Sequence, residues 1–254
     1  MRDPFEDLGE PSRIAFSGDW HASVTHAVSA IQHAKDHGAD VVVHVGDFGY
    51  TFRPSFICTV VDELVDLDIP LLFVEGNHDD PSALSGPVAP NGLREIGQNL
   101  WHIPRSFRWR WGGMRFLGCG GAHSVDRQWR VPGVSWWPEE SLTETDVQRC
   151  IDGGPTDFLI SHDCPTGVVI PGIDDRTDPA PFPPLEIALA QEHRRMLRRI
   201  VDATRPTTIV HGHYHVAYED ADNELGARVV GLDMDGTPMA RNMRFYDMDG
   251  GWVS

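Results

Sequence analysis

The sequence lacks the features of several broad classes of protein. No uninterrupted apolar run approaches the roughly 20 residues that a membrane-spanning helix needs. The four cysteines lie far apart and form no CxxC pair, which is typical of reduced, structural cysteines in an intracellular protein. The opening MRDPFEDLGE is acidic and polar, unlike a signal or transit peptide. Together these absences predict a cytoplasmic protein with no membrane partner.

Basic residues are also in short supply. The chain has 21 lysines and arginines against 38 aspartates and glutamates, a formal net charge of −17. Such a charge argues against non-specific binding to duplex nucleic acid through a basic surface. A small phosphorylated substrate remains compatible with it, provided that the site carries its own positive charge. A homo-oligomer is equally compatible with the sequence.

The chain has 254 residues, a length that fits one α/β domain with a substantial core. It contains no internal repeat and no break in composition. We therefore predict a single domain over residues 1–254. Its catalytic motifs occupy residues 14–215, and the terminal β-runs of residues 217–254 belong to the same domain.

The first third of the chain alternates between strand and helix patterns. Apolar runs at residues 13–17, 41–45 and 71–74 predict buried strands, and apolar residues at helical spacing lie between them. This βαβαβ order implies parallel strands with right-handed crossovers. Two later runs, at residues 158–161 and 207–210, predict further strands that also end in polar residues.

Other segments have a different character. Residues 100–117 are rich in tryptophan and predict a hairpin or meander whose large aromatics form core. A capping box of Ser141 and Glu144 predicts a short helix over residues 141–151. The proline-rich stretch 171–184 predicts a long loop, with a lid as one interpretation. Residues 185–201 predict a helix whose arginines, including Arg194, form a solvated face.

Polar residues follow directly after five of these strands, and open α/β sheets bind ligands at the carboxyl ends of their strands. Each residue alone also suits a helix cap or a turn. As a set, their imidazole, carboxylate and amide groups suit divalent ions such as Zn, Mn, Fe or Co. Asp47 is the natural bridge between two ions because a carboxylate offers several lone pairs. The residues are Asp19, His21, Asp47, Asn77, His78, Asp79, His162, His213 and His215.

In this order the motifs resemble those of the calcineurin-like metallophosphoesterases. They read Gly18-Asp19-Trp20-His21, Gly46-Asp47, Gly76-Asn77-His78-Asp79, His162 and Gly212-His213-Tyr214-His215. The resemblance implies an α/β fold: a four-layer α/β/β/α sandwich of two mixed sheets flanked by helices, with a metal site on loops at one edge.

The resemblance also implies two divalent metal ions, with Mn²⁺ favoured and Fe, Zn, Co or Mg as alternatives. One ion would be held by Asp19, His21, Asp47 and His215, and the other by Asp47, Asn77, His162 and His213. A hydroxide held between the two ions would attack a phosphoester. His78 would face the leaving oxygen, either as a general acid or as a cation, and Asp79 would orient its imidazole.

The sequence departs from the pattern of the family's Ser/Thr protein phosphatases. Where those enzymes carry an arginine before the Asn-His motif, this chain has Glu75, and Phe48-Gly49 follows Asp47 in place of a Val-Asp-Arg-Gly run. The missing arginines favour a phosphodiesterase, acting on a nucleotide or cyclic nucleotide. The loop that holds Arg127, Arg130 and His123 could supply other contacts to the phosphate.

Three alternatives remain open at this point. The protein could be a phosphomonoesterase or protein phosphatase, or a nuclease, of the same superfamily. It could instead be a catalytically silent scaffold that binds other proteins. Such a scaffold is expected to lose metal ligands or the leaving-group histidine, whereas this chain keeps all seven ligands and His78.

Overall fold

The computed structural model describes Phe5 and residues 9–178 and 181–253, and strands in these residues form two mixed sheets. In spatial order the first sheet contains β13 (Gly251–Trp252), β12 (Met243–Asp247), β1 (Arg13–Ser17), β2 (Val41–His44), β3 (Leu71–Phe73), β5 (Leu100–His102) and β4 (Arg94–Gly97). The second contains β10 (Tyr218–Asp220), β11 (Arg228–Gly231), β9 (Thr208–His211), β8 (Phe158–Ser161), β7 (Met114–Cys119) and β6 (Arg108–Trp111).

Helices cover the outer face of each sheet. The helices are α1 (Val24–Asp36), α2 (Pro54–Asp66), α3 (Glu144–Asp152), α4 (Pro184–Thr204) and α5 (Met239–Asn242). Apolar residues of α1 and α2 pack against the first sheet, and those of α3 and α4 against the second. No helix in the described part of the chain is both long enough and apolar enough to cross a membrane.

The interior between the sheets is aromatic. Phe158 of the second sheet stacks on Phe16 of the first, with ring centroids 6.0 Å apart, and on Phe116 beside it at 4.7 Å. Trp109 and Trp111 are buried in the same cluster, so the prediction that the tryptophans form core is confirmed. The predicted sandwich of two mixed sheets flanked by helices is likewise confirmed.

Parallel pairing places the functional motifs together. Strands β1, β2, β3 and β5 run parallel to one another, as do β7, β8, β9 and β11. Their buried apolar side chains agree with sheets that are covered on both faces. Because parallel strands end at a common edge, the loops after β1, β2 and β3 gather there in one sheet, and those after β8 and β9 in the other.

Three local predictions differ from the structure. The capping box of α3 is formed by Thr143 and Asp146, which bond each other's backbone N–H groups, so the N-cap lies two residues after the predicted one and the helix begins at Glu144. The tryptophan-rich segment is split, since β5 lies in the first sheet while β6 and β7 form a hairpin in the second. Arg194 is buried and not solvated, because its guanidinium bonds the carboxylate of Asp174 and two backbone carbonyls.

Candidate dinuclear metal centre

A first group of predicted ligands meets at the ends of β1 and β9. Asp19 is fully buried, and its Oδ2 lies 3.2 Å from Nε2 of His215. The rings of His21 and His215 are 5.0 Å apart, and one ligand atom from each of the three residues lies within 4.8 Å of the others. These three side chains can therefore contact one ion.

A second group joins the two sheets. Nε2 of His162, after β8, lies 3.0 Å from Oδ1 of Asn77, after β3. The ring of His213 lies 5.0 Å from that of His162, and both side chains belong to the second sheet's edge. Two imidazoles and an amide oxygen thus converge beside the first group.

Asp47 lies between the two groups. Its Oδ2 is 3.5 Å from Nε2 of His21 in the first group, while its Oδ1 is 3.4 Å from Nε2 of His162 in the second. The backbone N–H of His78 donates to Oδ1 at 2.9 Å and fixes the carboxylate. Each oxygen of this one side chain therefore faces a different ligand group.

The hydrogen bonds of two histidines test whether the site suits cations. Nδ1 of His21 lies 2.8 Å from Oδ1 of Asp235, and Nδ1 of His162 lies 2.9 Å from the carbonyl oxygen of Val45. An N–H at each Nδ1 leaves a lone pair on each Nε2, which also faces an oxygen. Two lone pairs that face each other need a proton or a metal ion between them. The donor set therefore fits divalent metal ions.

The charges of the site support the same conclusion. Burial opposes protonation of His21 and His162, but the nearby Asp47 carboxylate outweighs it and raises the pKa of His21 to about 9 and of His162 to about 10. Burial lowers the pKa of His213 to about 3 and keeps it neutral. Among the described residues, no lysine or arginine pairs with Asp19 or Asp47. A bound cation would supply the missing positive charge and displace the protons.

The backbone of the ligand loops adopts an uncommon conformation. His21, Asp47, His213 and His215 have φ values of 47°, 54°, 69° and 55°, the left-handed region that residues other than glycine rarely adopt. Such residues cluster at functional sites, where the surrounding structure holds them. At Gly212, a side chain would collide with the Asp19 carboxylate, so a glycine is needed for the loops to approach each other.

His78 lies beside the ligands and contacts an arginine. Its Nε2 is 3.8 Å from Oδ2 of Asp47, and the guanidinium of Arg130 lies against both ring nitrogens, with Nη2 2.9 Å from Nε2. Arg130 is held by two hydrogen bonds to Asp126, of 2.6 and 2.7 Å. Burial lowers the pKa of His78, Asp47 opposes that effect, and the charge of Arg130 adds to it.

The position of Asp79 differs from the one expected. Its carboxylate accepts hydrogen bonds from the backbone N–H groups of Phe48, Gly49, Tyr50 and Gly76, and no bond joins it to the imidazole of His78 within the described residues. Burial and the charge of Asp47 raise the pKa of Asp79 to about 6, against the effect of those bonds. Asp79 therefore ties the loop after β2 to the loop after β3 and does not orient His78.

The other predicted substrate residues lie elsewhere. Arg127 and His123 both bond the carboxylate of Glu186 on α4, at 2.7 and 2.8 Å. Of the three expected phosphate contacts, the structure places only Arg130 against His78.

A chain of hydrogen bonds lies behind Asn77, and the sequence alone does not indicate it. The Asn77 amide donates to Oγ of Ser124 at 3.0 Å, and that hydroxyl donates to Oε2 of Glu140 at 2.7 Å. All three side chains are buried. The chain turns Oδ1 of Asn77 towards His162. Ser124 and Glu140 lie 47 and 63 residues after Asn77, outside every motif, so no signal in the sequence links them.

Two cavities meet at the pair of His78 and Arg130. One has a volume of about 670 Å³ and runs past His21, Tyr50 and Trp137. The other, of about 360 Å³, begins at the ligands Asp47, Asn77, His213 and His215 and runs along α4. Both are lined by His78 and Arg130. The metal centre is therefore accessible from two sides.

Comparison with protein families identifies the class. The model of the calcineurin-like phosphoesterases matches residues 12–217, and the chain belongs to this family. Family membership supports metal-dependent hydrolysis of a phosphoester and implies a dinuclear centre of divalent ions. A comparison with curated proteins found no significant match.

Solved structures with the same fold are distant in sequence. A dimetal phosphatase from Danio rerio matches with a TM-score of 0.59 and 18% identity, over 94% of this chain and 93% of the other. The TT1561 protein of Thermus thermophilus matches with a TM-score of 0.57 and 13% identity, over 94% of this chain and 95% of the other. At these identities the similarity establishes the fold alone.

Proposed function

We propose that the protein is a dinuclear metal-dependent phosphodiesterase. The observation that carries this proposal is the meeting of two cavities at His78 and Arg130, next to the ligand groups. A phosphodiester has two organic substituents on one phosphate, so two cavities at a single phosphate site suit it. A monoester has one substituent and would leave one cavity without a role.

The metal ions would be held by the seven predicted ligands. Asp19, His21, Asp47 and His215 would hold one ion, and Asp47, Asn77, His162 and His213 the other. When bound, two divalent ions attract the phosphate and make water a nucleophile at neutral pH. Mn²⁺ is favoured, and Fe, Zn, Co or Mg suit the same oxygen and nitrogen donors.

The protein's own contribution to the reaction centres on His78 and Arg130. Arg130 carries a permanent charge that Asp126 holds in place, so it can bind a phosphoryl oxygen. Nε2 of His78 lies 3.8 Å from Oδ2 of Asp47, beside the ligands, and we assign it to the leaving oxygen. His78 would donate a proton there, and the charge of Arg130 makes its imidazolium a stronger acid while reducing the fraction of His78 that is protonated.

Glu75 weighs against a protein phosphatase. Its carboxylate pairs with Arg105 at 2.5 Å and with His102 at 2.9 Å, which together overcome the effect of burial and lower its pKa to about 2. It is a partly buried structural anion where the protein phosphatases have an arginine. A nucleotide or cyclic nucleotide is our proposed substrate, and the intact ligand set argues against a silent scaffold.

Hydrolysis of bis(p-nitrophenyl) phosphate and of p-nitrophenyl phosphate by the purified protein tests this function. We expect activity to be lost with EDTA and restored by Mn²⁺, with a higher kcat/KM for the diester. Activity that survives chelation would contradict the metal mechanism. A higher kcat/KM for the monoester would contradict the preference for diesters.

We also propose that the chain works as one domain in the cytoplasm. The terminal strands complete both sheets, since β12 pairs with β1 in the first and β11 with β9 in the second. This arrangement supports the single domain that the sequence predicts.

A further inference from the structure

The smaller of the two cavities has one wall formed by α4. Ile187, Ala190, Gln191 and Arg194 line it, and they are spaced i, i+3, i+4 and i+7, the spacing of one helix face. Phe182, from the loop before α4, also lines the cavity. This wall leads away from the metal ligands, so an organic group on a bound phosphate would lie against it.

Gln191 is the unusual residue of this wall. It is partly buried, and its side chain makes no hydrogen bond within the described residues. The other polar residue of the wall on α4 is engaged, since Arg194 bonds Asp174 at 3.0 Å. An amide offers both a donor and an acceptor. Within a largely apolar cavity, these are the groups that fix the orientation of a ligand.

We propose that this cavity is a subsite for a nucleobase of the substrate, with Gln191 bonding the edge of the base. The proposal rests on the proposed phosphodiesterase function and adds the place and the residues that would recognise the base. Apolar side chains such as Ile187 and Phe182 suit the faces of a flat ring, and an amide suits a base edge that both donates and accepts. A volume of about 360 Å³ is at the small end for ligand sites. It suits one nucleoside, whereas an acyl chain would leave the amide unpaired.

Three substrates with the same leaving group test the proposal. They are the methyl, phenyl and thymidine-5′ esters of p-nitrophenyl phosphate. The methyl ester carries only a small second substituent, the phenyl ester carries an apolar ring, and the thymidine ester carries a base with a hydrogen-bonding edge. With the Mn²⁺-loaded protein, we expect kcat/KM to rise about tenfold from methyl to phenyl through ring burial. It should rise about fivefold further to the thymidine ester through the hydrogen bonds.

Two variants and a control locate the effect. Gln191→Leu keeps the volume but removes the amide, so it should lower kcat/KM about fivefold for the thymidine ester alone. Ala190→Leu narrows the cavity and should lower kcat/KM for the phenyl and thymidine esters towards the value for the methyl ester. Ala188→Leu changes an exposed position of the same helix and should change none of the three.

Two results would overturn the subsite. One is a thymidine ester that the unaltered protein hydrolyses no better than the methyl ester. The other is a preference for thymidine that both Gln191→Leu and Ala190→Leu leave intact, which would place the base in the larger cavity. Failure to hydrolyse any of the three diesters would instead contradict the proposed function itself.

Discussion

The first sheet supplies both buried carboxylates, Asp19 and Asp47, and the amide of Asn77, whereas the second sheet supplies the imidazoles of His162, His213 and His215. All the formal negative charge of the predicted centre therefore comes from one side. The neutral donors of the second sheet add ligands without adding charge. If two divalent ions bind, the centre keeps an excess of positive charge, and a phosphate is attracted to it even though the chain as a whole is acidic.

Within the first sheet, Asp47 has a role that no other predicted ligand shares. Asp47 has one oxygen near each ligand group, at 3.5 Å from His21 and 3.4 Å from His162. Without it the second ligand group would keep only the neutral donors Asn77, His162 and His213. We therefore expect the loss of Asp47 to affect both ions, and changes behind Asn77, which belongs to one ligand group, to affect one.

The largest effect is expected from Asp47→Asn. It removes the charge that both groups share, so both ions should be lost and kcat/KM should fall by roughly 10⁴-fold or more. Metal content measured by mass spectrometry, with Asp62→Asn on α2 as the control, tests this. Retention of two ions would rule out a bridging role.

His78→Ala separates catalysis from metal binding within the first sheet. Because His78 lies outside the predicted ligand set, kcat should fall about 10²–10⁴-fold while the metal content stays unchanged. The neighbouring His21→Ala is the matched variant, and it should lose metal. If His78→Ala loses metal as well, the assignment of His78 as a general acid outside the ligand set is wrong.

Ser124→Ala probes a single metal ion. Loss of the hydroxyl frees the Asn77 amide to rotate. This should lower the affinity for one metal ion about 10- to 100-fold and leave the affinity for the other unchanged. In a titration with Mn²⁺, one of the two binding steps should shift to a higher Mn²⁺ concentration. The control Ser29→Ala, on α1, should shift neither step. An equal shift of both steps would contradict the separate role of Asn77.

The smallest effect is expected from Arg130→Ala. Loss of charged hydrogen bonds to the phosphate should raise KM for a diester about tenfold. Arg127→Ala, in the same loop but paired with Glu186, is the matched control and should change neither kcat nor KM. If Arg127→Ala raised KM and Arg130→Ala did not, the phosphate would instead bind near Arg127.

Local patterns in the sequence predicted the parallel strands and the polar residues at their ends, whereas the two-sheet sandwich and the ligand sets were implied by the family resemblance. Apolar runs that end in Gly-Asp or Asn-His place polar residues at the ends of buried strands, and the structure brings all seven predicted ligands to one edge. The register of the α3 cap was wrong because Ser141 and Thr143 both suit an N-cap, and only the hydrogen bonds of Asp146 distinguish them.

The partners of the site residues could not be predicted in the same way. Asp79 was expected to orient His78, its neighbour in sequence, but its carboxylate is used by backbone groups about 30 residues away. Arg130 reaches His78 across 52 residues, while Arg127 turns to Glu186 on α4. These contacts depend on how irregular loops pack, and no periodic pattern encodes that packing.

The segment that leads into β12, the strand beside β1, also has a consequence for how the site forms during synthesis. Asn242, just before β12, bonds the hydroxyl of Ser17 and the carbonyl oxygen of Asp19, at 2.9 and 3.3 Å. A nascent chain therefore contains every predicted metal ligand once His215 is made, but the loop that carries Asp19 stays without its support until Asn242 leaves the ribosome. We therefore expect the metal centre to be completed only after this segment has folded against β1.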